Sequence, residues 1–401
     1  MRRFFIFASF AAFALIVKSQ NTATGYVDDG YYRIYNFATE RYIYVTDDKD
    51  YSDVLRDKPD LQAIQLWKNA EKTISDPSSV VYIKKINDTQ FDLEAQGTGV
   101  HSLTTYYVNV NKKSDGTYEV SAQKKLDNQT VTKYLYDNNS SSTAQQGLLG
   151  TGKQGQDISF RRWIVDKIKT DHATNYVGIK PTIELNGVYY QSFYVAFPFR
   201  AASPDMHIYY ISAMEDGLAL LQEIEGDVPA KTPVIIECAS PNATDNRIEL
   251  LLSTSATVTG NKLSGVYFCN GKRQQASVNA YKKFDAATMR VFTVANGKLV
   301  LSNQDESRLN NIKVNDYINY TGTIDALCLY ANTSYLPADA STPDVIELTS
   351  DPTGINNVAV KEKVTGEGIY SVSGALLRPT NDTAGLPAGL YIVGGKKIAV
   401  K

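Results

Sequence analysis

The chain has 401 residues, with 41 lysine and arginine residues against 43 aspartate and glutamate residues and a formal net charge of −2. This balance lacks the basic surface typical of nucleic-acid binding and the acidic tail of a solvating arm, so no nucleic-acid partner is expected. Aromatic residues make up 11% of the chain and include 27 tyrosines, a composition that favours strands over helices.

Residues 1–19 have the pattern of a secretory signal peptide. Two arginines precede an apolar run over residues 4–17, which is shorter than the about 20 residues that span a bilayer. Val17 and Ser19 fit the small or apolar positions before a cleavage site, so we expect cleavage near Ser19 and Gln20. The alternative is an uncleaved anchor. The signal peptide predicts a protein that is secreted or held at the outer cell surface.

Residues 26–167 contain three copies of a strand–turn–strand pattern. The copies cover residues 30–45, 81–94 and, more loosely, 117–136. In each copy, apolar or aromatic residues alternate with polar ones on both sides of a short polar turn. Repetition of this kind predicts a threefold β-module.

These copies resemble a β-trefoil domain of the ricin-type lectin superfamily, most clearly at residues 30–45 and 65–67. In that family one tryptophan per repeat packs in the core, so the resemblance implies structural roles for Trp67 and Trp163. The family often binds sugars through an aspartate and an aromatic residue in each repeat. The resemblance places no such pair here, and lectin activity stays open.

Residues 170–338 contain many short strand patterns and no long helical period. Turns at residues 215–217, 270–271 and 296–297 join them at hairpin spacing. We therefore predict an antiparallel, sandwich-like β-domain, with a barrel as the alternative. Residues 339–357 include two prolines, Pro343 and Pro352, and are interpreted as a linker.

Residues 358–401 are predicted to form a small β-hairpin tail, in which Gly394 and Gly395 make a two-residue turn. The tail resembles the C-terminal sorting domain of Bacteroidetes proteins exported by the type IX secretion system, although it is shorter than the usual family tail. The resemblance rests on residues 369–374, 387–393 and 396–401. It implies an address read by the secretion machinery. The alternative is that the tail strands complete the sheet of the second domain.

Residues 147–153 match the first seven positions of a phosphate-binding P-loop. The eighth position is Gln154, where the motif needs a serine or threonine for magnesium. The sequence predicts no strand before the match and no helix after it, so no helix N-terminus faces a phosphate. We interpret residues 138–156 as an exposed loop and expect no nucleotide partner.

No residue is assigned to metal or cofactor binding. An acidic cluster follows the first hairpin and is interpreted as a solvated loop, with an irregular calcium site as the alternative; its members are Asp47, Asp48, Asp50 and Asp53. The three histidines lack zinc-ligand spacing; they are His101, His172 and His207.

Three cysteines, Cys238, Cys269 and Cys328, allow one disulfide with a free thiol left over, or three small buried side chains. Their pairing stays open. No nucleophile motif is present. A carboxylate pair for glycoside hydrolysis has no fixed spacing in sequence, so a hydrolase remains an alternative.

Two groups of tyrosines are candidate sugar-stacking surfaces: Tyr42, Tyr44 and Tyr51, or Tyr106 and Tyr107. Packing on the body of the domain is the alternative for each.

Taken together, the residues and the resemblances predict an all-β chain with a β-trefoil-like domain, a sandwich-like domain and a hairpin tail. We expect an exported, non-catalytic protein that binds a glycan or a surface protein through its β-modules, with no assigned ligand-binding residues. The alternatives are a structural or adhesin component without a small-molecule site, and a glycoside hydrolase.

Overall fold

The computed structural model describes residues 27–45, 64–68, 73–97, 108–126, 129–138, 146–152, 158–215, 217–267, 282–314, 324–350, 368–371, 376–393 and 396–400. Within these residues the protein is all-β, as the composition predicts. Short 3-10 helices occur at Pro77–Ser79, Ile158–Arg161 and Glu306–Arg308. The signal-peptide prediction, with its cleavage position, lies outside the described residues. No helix in the described part of the chain is long and apolar enough to cross a membrane.

Ten strands form the first module. They are β1 (Gly30–Asn36), β2 (Tyr42–Val45), β3 (Ile64–Trp67), β4 (Val81–Lys85), β5 (Phe91–Ala95), β6 (Asn109–Lys112), β7 (Tyr118–Leu126), β8 (Gln129–Asp137), β9 (Gln146–Gly152) and β10 (Trp163–Lys167). The pairings run from β1 through β2, β3, β9, β8, β7 and β10 and return to β1, so they close a ring. The β4–β5 hairpin attaches to β1, and β6 attaches to β7.

The first core lies on the inner face of this ring. Alternate residues of the strands point to opposite faces, so Tyr32 and Ile34 of β1 enter the core beside Ile43 and Leu66. Trp163 is fully buried there, and its Nε1 donates to the Leu135 carbonyl at 3.0 Å. The structural role predicted for this tryptophan is confirmed. Trp67 is half-buried on β3.

The segment predicted as an exposed loop, residues 138–156, contains strand β9. This strand lies between β3 and β8 and pairs with both. The loop was predicted because the segment has few apolar side chains to bury, and that prediction was wrong. Strand β9 closes the ring through backbone hydrogen bonds, which any residue except proline can make. Residues 147–152 of the P-loop match lie on this strand, where the backbone N–H groups face neighbouring strands and cannot cradle a phosphate; Lys153 lies outside the described residues.

Sixteen strands form the second module. They are β11 (Val177–Gly178), β12 (Ile183–Leu185), β13 (Val188–Phe193), β14 (Phe199–Ala201), β15 (His207–Glu215), β16 (Leu218–Glu223), β17 (Asp227–Val228), β18 (Val234–Cys238), β19 (Arg247–Leu250), β20 (Ser264–Val266), β21 (Met289–Ala295), β22 (Lys298–Ser302), β23 (Asn310–Val314), β24 (Ile324–Cys328), β25 (Thr333–Pro337) and β26 (Val345–Thr349).

The large sheet of this module has the order β12–β13–β18–β15–β16–β26–β22–β21–β25–β20, and a small sheet has the order β11–β19–β14–β17. The large sheet curls, so that Ser192 of β13 and Ser334 of β25 join side chains at 2.8 Å. One core fills the curl of the large sheet, and a second core combines apolar residues of both sheets. Strands β23 and β24 pair with each other.

Part of the segment predicted as a linker, residues 339–357, is strand β26 of the large sheet. It pairs parallel with β16 and antiparallel with β22, which makes it the one parallel neighbour in the described sheets. Ile346 is fully buried and Leu348 is 9% exposed. The prolines that suggested a linker lie outside this strand. Residues 345–349 alternate between apolar and polar side chains, and this pattern predicts a strand.

The two modules share a core. Tyr31, Val80 and Tyr82 of the first module belong to the same buried cluster as Val177 and Phe197 of the second. The rings of Tyr31 and Phe197 meet edge to face at 5.5 Å between centroids. Burial of aromatic rings from both sides predicts that the modules unfold together.

Polar contacts fix the relative position of the two modules at this junction. Asn332 donates to the Gln96 side-chain oxygen at 3.0 Å and to the Tyr194 carbonyl at 3.0 Å. A Cβ at Gly97 would stand 2.9 Å from the Ala196 carbonyl oxygen, so only glycine allows this backbone approach.

Arg33 is the most heavily bonded side chain at the junction. It is 2% exposed, and it donates to Ser79 Oγ at 2.9 Å, Asn175 Oδ1 at 2.8 Å, the Tyr176 carbonyl at 2.7 Å and the Thr73 carbonyl at 2.9 Å. Burial lowers the pKa of this guanidinium to about 10, and it stays charged at neutral pH. The side chain therefore joins β1, the segment 73–79 and the segment after β10.

The tail contains β27 (Ile369–Ser371), β28 (Leu376–Arg378), β29 (Gly389–Val393) and β30 (Lys396–Val400), which form a sheet of their own. Val393 pairs with Lys396, as the predicted two-residue turn requires. Ile369 and Val393 are buried, whereas Leu376 and Leu390 are 55% and 50% exposed. One face of the tail sheet therefore presents apolar side chains to solvent.

We expect Arg33→Gln to destabilise the protein by about 3 kcal/mol, because it leaves several buried carbonyl oxygens without a donor, each costing about 1–3 kcal/mol. Urea unfolding followed by tryptophan fluorescence measures the effect. Arg200→Gln is the matched control, since that side chain is 46% exposed, and its midpoint should equal that of the unchanged protein. Equal midpoints for both variants would contradict the role given to Arg33.

Candidate ligand-binding site

An outer surface of the first module combines aromatic rings with cationic side chains. We call it the arginine–aromatic surface and define it by Tyr134, Tyr136, Phe160, Arg161 and Arg162. The two tyrosines lie on β8, and the other three lie on the 3-10 helix before β10 and at its end. All five side chains are partly exposed.

The backbone of this surface is fixed by Asn36, the last residue of β1. Asn36 is fully buried, and its Nδ2 donates to the Phe160 carbonyl at 2.9 Å. Its Oδ1 accepts from the amides of Ala38 and Thr39 at 3.0 and 3.1 Å. One asparagine thus holds the β1–β2 turn against the 3-10 helix, which positions the side chains that follow Phe160.

The aromatic part follows from alternation along β8. Leu135 is buried in the first core, so its neighbours Tyr134 and Tyr136 point outward. Tyr136 and Phe160 meet at 6.1 Å between ring centroids. Phe37, whose amide donates to the Arg162 carbonyl at 2.8 Å, is 55% exposed beside them. Exposed aromatic rings beside polar groups are typical of ligand contacts.

The cationic part surrounds one carboxylate. Glu119 of β7 is 8% exposed, and its Oε1 lies 3.0 Å from Arg161 Nε and 3.6 Å from Arg162 Nη1. Its Oε2 contacts Lys113 Nζ. The Arg161 guanidinium also lies over the Tyr134 ring at 4.5 Å from the centroid. Three cations therefore share one buried carboxylate.

Some hydrogen-bond donors in this group have no acceptor. Nη1 of Arg161 is buried without a hydrogen-bond partner, and Nη1 of Arg162 has only its ion-pair contact with Glu119 Oε1 at 3.6 Å, which is too long for a hydrogen bond. Unpaired buried donors of this kind cost about 1–3 kcal/mol each. The nearby Asp115 is engaged elsewhere: it accepts from the Thr117 hydroxyl at 2.6 Å and amide at 2.9 Å, contacts that with Arg162 lower its pKa. The site is therefore suited to a ligand that brings acceptor oxygens.

The tyrosines proposed from the sequence do not form a binding surface in the described residues. Tyr44 is buried, and this burial raises the pKa of its hydroxyl well above the usual range. The hydroxyl contacts Thr73 Oγ1. Tyr42 is half-buried and packs on Tyr35 at 4.8 Å between centroids. Tyr51, Tyr106 and Tyr107 lie outside the described residues. Packing was the correct interpretation for Tyr44, because β2 borders the module junction.

The described histidines have separate local roles. His172 Nδ1 accepts from the amides of Thr174 and Asn175 at 3.1 and 2.9 Å. His207 pairs with Glu223 at 2.7 Å, and that hydrogen bond raises its pKa. His101 and the acidic cluster Asp47, Asp48, Asp50 and Asp53 lie outside the described residues. Among the residues that are described, no group of three metal-ligating side chains comes together.

A second group of titratable side chains lies around His207 on the second module. The His207 ring stacks on Tyr209 at 6.3 Å between centroids. Burial raises the pKa of Tyr209 to about 12, and the carboxylates of Glu237 and Glu223 contribute to this shift. Glu223 is already engaged by His207, so the pair favours the protonated imidazole.

Cys238 and Cys328 are buried free thiols. Burial raises the pKa of Cys238 to about 12, and it also raises the pKa of Cys328. Both are thus unreactive at neutral pH, which agrees with their interpretation as small buried side chains. Cys269 lies outside the described residues.

No protein-family model matches the chain, and no curated protein is significantly similar to it. The sequence carried a signal for the site in residues 160–163, where two arginines stand between Phe160 and a core tryptophan. Alternation along a strand buries only every second residue, so some of these four residues are expected to be exposed. Alternation does not reveal that Glu119 lies beside the arginines.

We expect Glu119→Gln to lower the stability by about 2 kcal/mol in low salt, because it leaves three cations without their shared carboxylate. The loss should shrink at high salt, where repulsion between the cations is screened. Urea unfolding at low and high sodium chloride measures both effects. Glu249→Gln, which removes the exposed partner of Arg200, is the control and should change little. An equal loss at both salt concentrations would indicate lost packing instead of lost charge.

Proposed function

We propose that the chain is an exported, non-catalytic protein that binds a glycan or a surface-protein ligand through its β-modules, with the arginine–aromatic surface as the contact. The observation that carries this proposal is the combination of partly exposed aromatic rings with two guanidinium groups whose hydrogen-bond donors Glu119 does not fully satisfy. Sugars offer apolar ring faces for stacking and hydroxyl oxygens for hydrogen bonding, and both complements are present. Between the two ligand classes, this pairing favours a glycan.

We also propose a β-trefoil-like fold for the first module and a sandwich-like fold for the second. The closed ring of pairings and the three hairpins β1–β2, β4–β5 and β7–β8 support the first. The core shared by the large and small sheets supports the second. The resemblance to ricin-type lectins agrees with a sugar ligand.

The tail is proposed to address the protein to the outer surface or the medium through a Bacteroidetes-type secretion machinery. Its separate sheet and its open apolar face, with Leu376 and Leu390, support an element that docks on a partner. The apolar run over residues 4–17 supports export across the inner membrane.

We expect the protein to bind members of a panel of neutral and acidic glycans, and Phe160→Ala to weaken that binding about tenfold, since an aromatic contact contributes about 1–1.5 kcal/mol. Affinity measurements on immobilised glycans test this. Tyr330→Ala is the control, because that ring is 47% exposed on the second module. Retention of affinity by Phe160→Ala would show that the arginine–aromatic surface is not the glycan contact.

An activity panel on the same polysaccharides tests the hydrolase alternative, and release of shorter products would favour it.

Removing the tail should change the location of the protein and leave its melting temperature nearly unchanged. A chain ending at Ser350 keeps β26 and lacks the tail sheet, so few core contacts are lost. Thermal melting and cell fractionation measure the two effects. A chain ending at Ala338 is the matched control: it also loses β26, with the buried Ile346, and should melt at a clearly lower temperature. Unchanged location together with a large loss of melting temperature for the first truncation would contradict the address proposal.

A further inference from the structure

We infer that the ligand of the arginine–aromatic surface is an acidic glycan, whose sulfate or carboxylate group is held by Arg161 and Arg162 while a neighbouring sugar ring lies against Phe160. The inference rests on the proposed function and specifies the ligand class of the same site. Its three supports are the charge of the site, its unpaired donors and its apolar border.

The charge of the site is unbalanced. Lys113, Arg161 and Arg162 carry three positive charges, whereas Glu119 and Asp115 carry two negative charges. Glu119 already contacts all three cations, and Asp115 is turned towards Thr117. One positive charge therefore remains without a counter-charge in a poorly hydrated place, where an anion gains more than it would in water.

The unpaired donors match an oxyanion. A guanidinium group presents its N–H groups as a planar fork that fits the oxygens of carboxylate, sulfate or phosphate. Nη1 of Arg161 has no hydrogen-bond partner, and Nη1 of Arg162 has only its ion-pair contact with Glu119 at 3.6 Å; the two side chains are 12% and 17% exposed. The anion then satisfies groups that the protein leaves unsatisfied.

The border of the site favours a sugar over other anionic polymers. Phe37 and Ile158 are 55% and 49% exposed, and they adjoin the residues that carry the arginines. A nucleic acid needs an extended basic track, and the chain has a net charge of −2 with no such track in its sequence. The two arginines can hold one acidic substituent of a sugar, while the apolar face of a neighbouring sugar ring stacks on Phe160.

The test compares three oligosaccharides of equal length by calorimetry: a heparin octasaccharide with sulfate groups, an octagalacturonate with carboxylates only, and neutral maltooctaose. The full chain is compared with the double variant Arg161→Gln, Arg162→Gln and with Arg161→Lys, which keeps the charge and loses the fork. Arg200→Gln on the second module is the control. Circular dichroism and thermal melting show that each variant is folded.

We expect at least one acidic octasaccharide to bind more tightly than maltooctaose, with an affinity that falls as salt rises. The double variant should lose about tenfold or more of that affinity, Arg161→Lys should lose part of it, and the control should lose none. Which acidic probe binds distinguishes sulfate from carboxylate recognition.

Other outcomes overturn the inference in different ways. Equal binding of maltooctaose and the acidic probes, unchanged in the double variant, would exclude an acidic ligand and leave glycan binding in place. Tighter binding of a phosphopeptide of matched charge would exclude the glycan class. Absence of binding to all three oligosaccharides and to the wider glycan panel would overturn the proposed glycan function together with this inference.

Discussion

The buried guanidinium of Arg33 ties strand β1 to the segments that join the two modules. A guanidinium group leaves water only when acceptors surround it, and here backbone carbonyls and two side chains supply them. Those acceptors come from the segment 73–79 and from residues 175 and 176, so the cation draws three distant parts of the chain together. Strand β1 is consequently buried on both faces, with Ile34 in the first core and Tyr31 in the core shared with the second module.

The same strand determines the candidate site. Its last residue, Asn36, pairs with Trp163 in the ladder and bonds to the carbonyl of Phe160. The position of Arg161 and Arg162 therefore follows from the ladder between β1 and β10. A change that loosens β1 would disturb the junction and the arginine–aromatic surface together, whereas the tail strands pair only with one another in the described residues.

Arginine has two different roles in this protein, and hydrogen-bond satisfaction separates them. Arg33 finds an acceptor for each of its three nitrogens, so it contributes to the stability and specificity of the junction. Arg161 and Arg162 share one carboxylate with Lys113, and Nη1 of Arg161 has no hydrogen-bond partner. The first arrangement stabilises the fold, whereas the second leaves a buried donor that the described residues do not satisfy.

Local sequence patterns predict the alternating strands and the turns that join them. The hairpin β4–β5 and the two-residue connection between Val393 and Lys396 follow from local pattern, because alternation and turn chemistry act over a few residues. The tertiary structure assigns β9 and β26 as strands, since β3, one partner of β9, and both partners of β26 lie far away in the chain and supply the pairing or burial that the composition of these strands does not indicate. It also decided that Tyr44 and Arg33 are buried and that Glu119 meets Arg161. Which face of a strand is covered, and by what, is set by distant residues, and no local pattern contains that information.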